Sequence, residues 1–88
     1  MKRPLLACCF ALTAQNAFAQ AVCVVADPTS TPLNVRVAPN GTILGALNNG
    51  TRVSILNIVT DRGGERWALI APLGPGKRGY VFRSFLDC

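Results

Sequence analysis

From Asp27 onward the chain is cut into short pieces by residues that end regular structure. Asp27-Pro28 closes the first apolar run, and Pro28 to Pro32 (PTSTP) is a loop that no helix can cross. Asn40-Gly41 and Asn49-Gly50 are turn signals nine residues apart, since Asn and Gly both tolerate positive φ. Asp61 to Glu65 (DRGGE) and Pro72 to Gly79 (PLGPGKRG) punctuate the rest. A chain broken this often has no room for helices of useful length, and the segments between the breaks must be strands.

Their apolar pattern agrees. Leu33 to Val37 (LNVRV) alternates strictly, with Leu33, Val35 and Val37 on one face and Asn34 and Arg36 on the other. Ala21 to Ala26, Thr42 to Leu47, Thr51 to Val59, Arg66 to Ala71 and Tyr80 to Phe82 read as further strands, and Arg83 to Cys88 as a helical turn. Adjacent Ile55 and Leu56 in the longest strand predict a bulge or burial on both sides. The expectation is an all-β fold, a small barrel of short strands.

The N-terminus has a different character. Met1-Lys2-Arg3 is a basic opening, Pro4 to Ala14 an apolar run, and Ala17-Phe18-Ala19 a small-x-small cleavage pattern. The apolar run is too short to cross a bilayer, which takes about 20 residues. The expectation is a cleaved signal peptide over 1–19 and a mature domain over 20–88, periplasmic or secreted, with no stable membrane insertion. A second cut at Ala21 fits the same pattern. The alternative is a buried N-terminal helix. Leu5-Leu6-Ala7-Cys8 imitates a lipoprotein box, but Cys8 falls inside the apolar run rather than after it. Cys8 and Cys9 leave with the leader.

Loss of Lys2 and Arg3 leaves seven basic and four acidic residues, net +3 rather than +5. That mild excess and the predicted export both argue against nucleic acid as a partner. A domain this small has a marginal core and needs reinforcement. The cysteines left are Cys23 and Cys88, at opposite ends of the mature chain. In an oxidising compartment an even pair predicts a disulfide, which would bring the termini together. Two free thiols, or a bridge between chains, are the alternatives.

Chemistry is scarce. There is no histidine, the commonest general base and metal ligand. With both cysteines spent on a bridge no thiolate nucleophile remains. Asp27, Asp61, Glu65 and Asp87 each lie in or beside a turn or terminus, Asp61 and Glu65 being expected to be solvated beside Arg62 and Arg66. The GPGKRG segment lacks the spacing of a phosphate loop. Asn40-Gly41-Thr42 and Asn49-Gly50-Thr51 match glycosylation sequons but read as turns followed by a β-branched residue. The expectation is a protein with no enzymatic activity, no cofactor and no bound metal.

One ordered set of residues goes further. Leu33-Asn34-Val35-Arg36 with Pro39 is followed by Gly45, Leu47, Gly50 and Val53, then Trp67 and Ile70, then Gly79-Tyr80-Val81 and Phe85-Leu86. This series, over Leu33 to Leu86, resembles a bacterial SH3 domain. Ala38 replaces the glycine that usually precedes the proline, the segment up to Ile43 is shorter than in many members, and the Pro72 to Arg78 loop is longer. The resemblance implies a partly open SH3-like barrel of five or six short strands whose termini meet. It also implies a binding module for peptidoglycan or its peptides, commonly attached to a hydrolase, which this chain does not contain.

Alternation places Ala68 and Ile70 on one face and Trp67 and Leu69 on the other. The resemblance puts Ile70 in the core, so Trp67 is expected to face outward, beside Phe82 and Phe85 in a shallow groove. Those two phenylalanines either flank the groove or fill the core. Arg36 either bonds loop carbonyls or takes an anionic group. Lys77 and Arg78 form a basic tip that is simply solvated or meets an acidic wall polymer. The expected partner is peptidoglycan or a periplasmic or extracellular protein. The alternative is a small disulfide-stapled structural or inhibitor protein that grips another protein through the loop Leu73 to Gly79. Mass spectrometry of the exported chain should find a start at Gln20 or Val22 and no free thiol. Two alkylatable thiols would remove the staple.

Overall fold

The computed structural model describes residues 21–88, so the predicted leader over 1–19 lies outside the described residues. Seven strands form one antiparallel sheet: β1 (Val22–Val25), β2 (Leu33–Arg36), β3 (Ile43–Leu47), β4 (Arg52–Thr60), β5 (Arg66–Pro72), β6 (Gly79–Phe82) and β7 (Leu86–Asp87). Their order across the sheet is β3-β2-β6-β5-β4-β1-β7. A single 3-10 turn, Arg83–Phe85, separates β6 from β7, where a helical turn was expected. The strand count exceeds the predicted five or six because the last residues, read as part of that turn, include the two-residue β7.

The sheet is open but strongly curled. Leu33, Val35 and Leu47 from one end share a single core with Cys23, Val25 and Leu86 from the other, around Val53, Ala68, Ile70 and Val81. Strands β1, β2 and β5 supply this core through alternate residues, the period-2 pattern of a half-buried sheet. Strand β4 breaks that period. Its register against β5 shifts between Ile55 and Asn57, so the extra residue, Leu56, forms a bulge. The shift turns Ile58 rather than Asn57 toward the core, and both Ile55 and Ile58 pack there.

Both Asn-Gly pairs turn the chain, with different residues in the left-handed position. In Ala38–Gly41, closed by the Gly41 N–H on the Ala38 carbonyl at 2.8 Å, Asn40 has φ 61° after Pro39. In Asn48–Thr51 it is Gly50, at φ 92°. Positive φ at the third residue alone is the pattern of a type II turn, which Pro at the second position favours. Gly79 has a different task. A Cβ there would lie 2.5 Å from Val35 Cγ1 and 2.6 Å from the Arg36 carbonyl oxygen. Only a bare α-carbon lets β6 pass close enough to pair Tyr80 with Arg36.

Cys23 and Cys88 form the predicted disulfide, their α-carbons 4.3 Å apart across a sequence separation of 65. It fastens the end of β7 to β1, which also pair through Val24–Asp87 and Val25–Leu86. No helix among the described residues is long and apolar enough to cross a membrane. Closing a loop of this length is worth about 4 kcal/mol by its effect on the unfolded chain. Replacing Cys88 with Ser should therefore lower stability by roughly 2–5 kcal/mol in chemical denaturation. An unchanged midpoint would show that β7 pairing suffices without the bridge.

Candidate functional site

One cleft of about 90 Å³ opens on the face of the sheet away from the core. Its floor is aromatic. Trp67 begins the inner part of β5 and pairs with Phe82 at the end of β6, so the two rings lie side by side with centroids 4.3 Å apart. Phe85, on the 3-10 turn, meets Phe82 edge to face at 5.4 Å. Such tilted and edge contacts suit the ring quadrupoles and add to the burial of the rings themselves. The remaining lining mixes polar side chains with Leu33 and Pro32. Leu33, Asn34 and Arg36 come from β2, and Asp27, Thr31 and Pro32 from the β1–β2 loop.

Trp67 occupies the face predicted for it, opposite Ala68 and Ile70, yet it is only 1% exposed. The expected outward-facing Trp is corrected here: it forms the floor under the cleft rather than its surface. Phe82 covers it, and its indole Nε1 donates to Asp61 Oδ2 at 3.0 Å. That bond satisfies the one polar atom of a buried ring. Phe82 and Phe85 are half-buried, and of the two only Phe85 packs against the core. The phenylalanines are therefore the rings a ligand can reach.

Asp61 corrects a second expectation, that of a solvated carboxylate beside Arg62 and Arg66. Oδ1 accepts the N–H groups of Gly63 at 2.9 Å and Glu65 at 3.0 Å, and Oδ2 accepts Trp67 Nε1 and, at 3.1 Å, Asn40 Nδ2. One carboxylate thus ties the β4–β5 turn to the tryptophan and to the β2–β3 turn. The Trp67 bond, then the Glu65 amide, with Asn40 and Gly63 adding to them, hold its pKa below the usual carboxylate value against a smaller upward effect of desolvation.

The other predicted site residues divide. Arg36 lines the cleft, and its Nη1 donates to the Gly41 carbonyl at 2.8 Å, so it braces the β2–β3 loop and leaves its other N–H groups for a ligand. Lys77 and Arg78 are exposed on the β5–β6 loop, which joins the ends of those strands farthest from Trp67 and Phe82. Trp67 to Pro72 alone spans about 17 Å of strand. The basic tip is not brought to the cleft. Asp27, Asn34, Thr31 and Pro32 were not singled out in the sequence as site residues. Asn34 carried a signal, sharing the polar face of β2 with Arg36, and Asp27-Pro28 marked a turn without revealing what that turn covers.

The match to known proteins fits this architecture. The family described as bacterial SH3 domain matches residues 31–87, well over half the chain. The chain belongs to that family. No curated protein and no solved structure matches it. Bacterial SH3 domains are binding modules, generally without catalytic activity, that take peptidoglycan or protein partners. In this bacterial SH3 domain the match starts at Thr31 and ends at Asp87, so Asp27 and both cysteines of the disulfide, Cys23 and Cys88, lie outside the matched residues.

The Asp61 hub has a pH signature. A carboxyl whose folded pKa lies below its unfolded value near 3.9 adds stability above that value, lost as pH falls through the folded pKa. Asp61→Asn should therefore melt below wild type by a constant interval from pH 8 to about 5, and the interval should shrink below about pH 4. An interval that does not change with pH would assign the loss to the hydrogen bonds alone rather than to the charge.

Proposed function

We propose that this bacterial SH3 domain is an exported, non-catalytic binding module whose aromatic cleft holds a peptide of cell-wall peptidoglycan. The observation that carries this is the composition of the cleft. Reachable Phe82 and Phe85 rings sit between the polar side chains of β2 and the β1–β2 loop, on a fold whose family binds such partners. Aromatic surface gives contact area at low entropic cost, and the polar rim supplies direction. Export is supported by the leader pattern over 1–19 and by the Cys23–Cys88 bridge, since disulfides persist in oxidising compartments. The mature domain would be residues 20–88, periplasmic or secreted. Its role would be that of an adaptor, sensor or modulator at the wall.

The test is retention on purified peptidoglycan sacculi. Trp67→Ala is a poor probe, because removing a buried tryptophan costs about 3–5 kcal/mol, comparable with the whole stability of a small domain. Phe82→Ala is the better variant, its fold checked by thermal melting. The expected result is retention of wild type, loss of roughly tenfold or more for Phe82→Ala, and near-normal retention of a Lys77/Arg78 double alanine variant. Failure of wild type to bind any sacculus preparation would overturn the proposal in favour of a protein partner. Loss with the basic pair alone would reduce it to charge attraction.

A further inference from the structure

We infer that the cleft takes a protonated amine at Asp27, the ammonium-bearing end of a peptide, with the adjoining carbonyl turned toward Arg36 and Asn34. This rests on the cleft being the ligand site and names the chemistry it selects. Asp27 is only 8% exposed, the one acidic residue of the cleft wall. Its Oδ1 accepts the Thr29 N–H at 2.8 Å and the Thr29 hydroxyl at 2.5 Å. Its Oδ2 accepts no hydrogen bond from any described residue. A buried carboxylate oxygen without a donor is costly, and Arg36, the cation lining the same cleft, gives its Nη1 to Gly41 instead. Asp27 lines the cleft.

The carboxylate is also held in place before any ligand arrives. Asn49 grips the Asp27 backbone from both sides, its Oδ1 accepting the Asp27 N–H at 2.7 Å and its Nδ2 donating to the Asp27 carbonyl at 3.2 Å. Ser30 N–H closes the turn on the same carbonyl at 3.1 Å. An acceptor fixed in this way costs little further ordering on binding. Phe82 and Phe85 line the same cleft as Asp27. The unused N–H groups of Arg36 and the exposed amide of Asn34 suit a carbonyl or carboxylate oxygen. A volume of about 90 Å³ is far below the roughly 300–1,000 Å³ of pockets for whole small molecules. It admits one terminal group, and an ammonium is compact enough to enter.

Trp67 is the only tryptophan in the chain and lies against Phe82, so its emission reports occupancy of the cleft. Three probes separate the possibilities: trialanine with a free α-amine, N-acetyl-trialanine, and N-acetyl-Ala-Lys-Ala. Trialanine should shift the emission, and acetylation should weaken it by roughly tenfold or more, the value of one charge-assisted hydrogen bond. A shift restored by the lysine peptide would extend the site to side-chain amines, and no shift would restrict it to α-amines. Asp27→Asn keeps an acceptor for Thr29 and should abolish the preference for the free amine. If that variant does not fold, the wild-type comparison of free and acetylated peptide decides the matter alone. Equal affinity for trialanine and its acetylated form, or no response to either, would overturn the inference.

Sacculi treated with acetic anhydride give the second arm. Acetylation makes the wall more anionic and should strengthen nonspecific attraction of a basic domain, so a loss of retention supports amine recognition. Equal retention on native and acetylated sacculi would overturn the amine and leave wall binding standing. Retention on neither is the separate failure of wall binding itself.

Discussion

The bridge between Cys23 and Cys88 joins β1 to the end of β7, and the aromatic end of the chain depends on where that join falls. Three residues before Cys88, Phe85 sits on the 3-10 turn, and its carbonyl accepts the Ala26 N–H at 2.9 Å. The residue after Ala26 is Asp27. One wall of the cleft and part of its floor are thus pinned to each other within a few residues of the disulfide. In a domain with so small a core, conformational entropy removed from the unfolded chain substitutes for apolar area that the chain does not possess.

A second dependence runs through Trp67. It contributes little to the main core, whose cluster lies on the other face of β5. Its burial is achieved locally, by Phe82 above it and by Asp61 at its indole nitrogen. Because Asp61 also holds Asn40 and its own turn, the tryptophan is the meeting point of the β4–β5 and β2–β3 turns. The floor of the site is stiff for that reason. The half-buried phenylalanines rest on a tryptophan that is fully buried.

The fold was largely legible. Alternation in LNVR and WALI set Leu33 with Val35 and Ala68 with Ile70, the resemblance put Ile70 inside, and of the two readings of Ile55-Leu56 the bulge is the one found, turning Ile58 inward. Cysteine parity predicted the bridge. The site was legible only in part, because alternation states which face a side chain leaves by and not what lies over that face. Trp67 left by the predicted face and was then covered by Phe82. Asp27 read only as a turn residue and Asp61 as a solvated one, since their partners stand 22 residues away at Asn49 and 21 residues away at Asn40. Contacts at that separation leave no periodic trace in a single sequence.

Those same two aspartates show how similar local chemistry leads to different tasks. Each opens a turn and accepts a backbone N–H two residues ahead, Thr29 for Asp27 and Gly63 for Asp61. This is the local bonding that makes Asp frequent in turns. At Asp61 the second oxygen is consumed by Trp67 and Asn40, so the group is structural and its charge is held by the protein. At Asp27 the second oxygen finds no such partner among the described residues, though the side chain is the more buried of the two. The fold satisfies a carboxylate fully where it builds the floor and incompletely where it builds the wall. That difference, rather than the aromatic surface alone, is what the proposed recognition of an amine rests on.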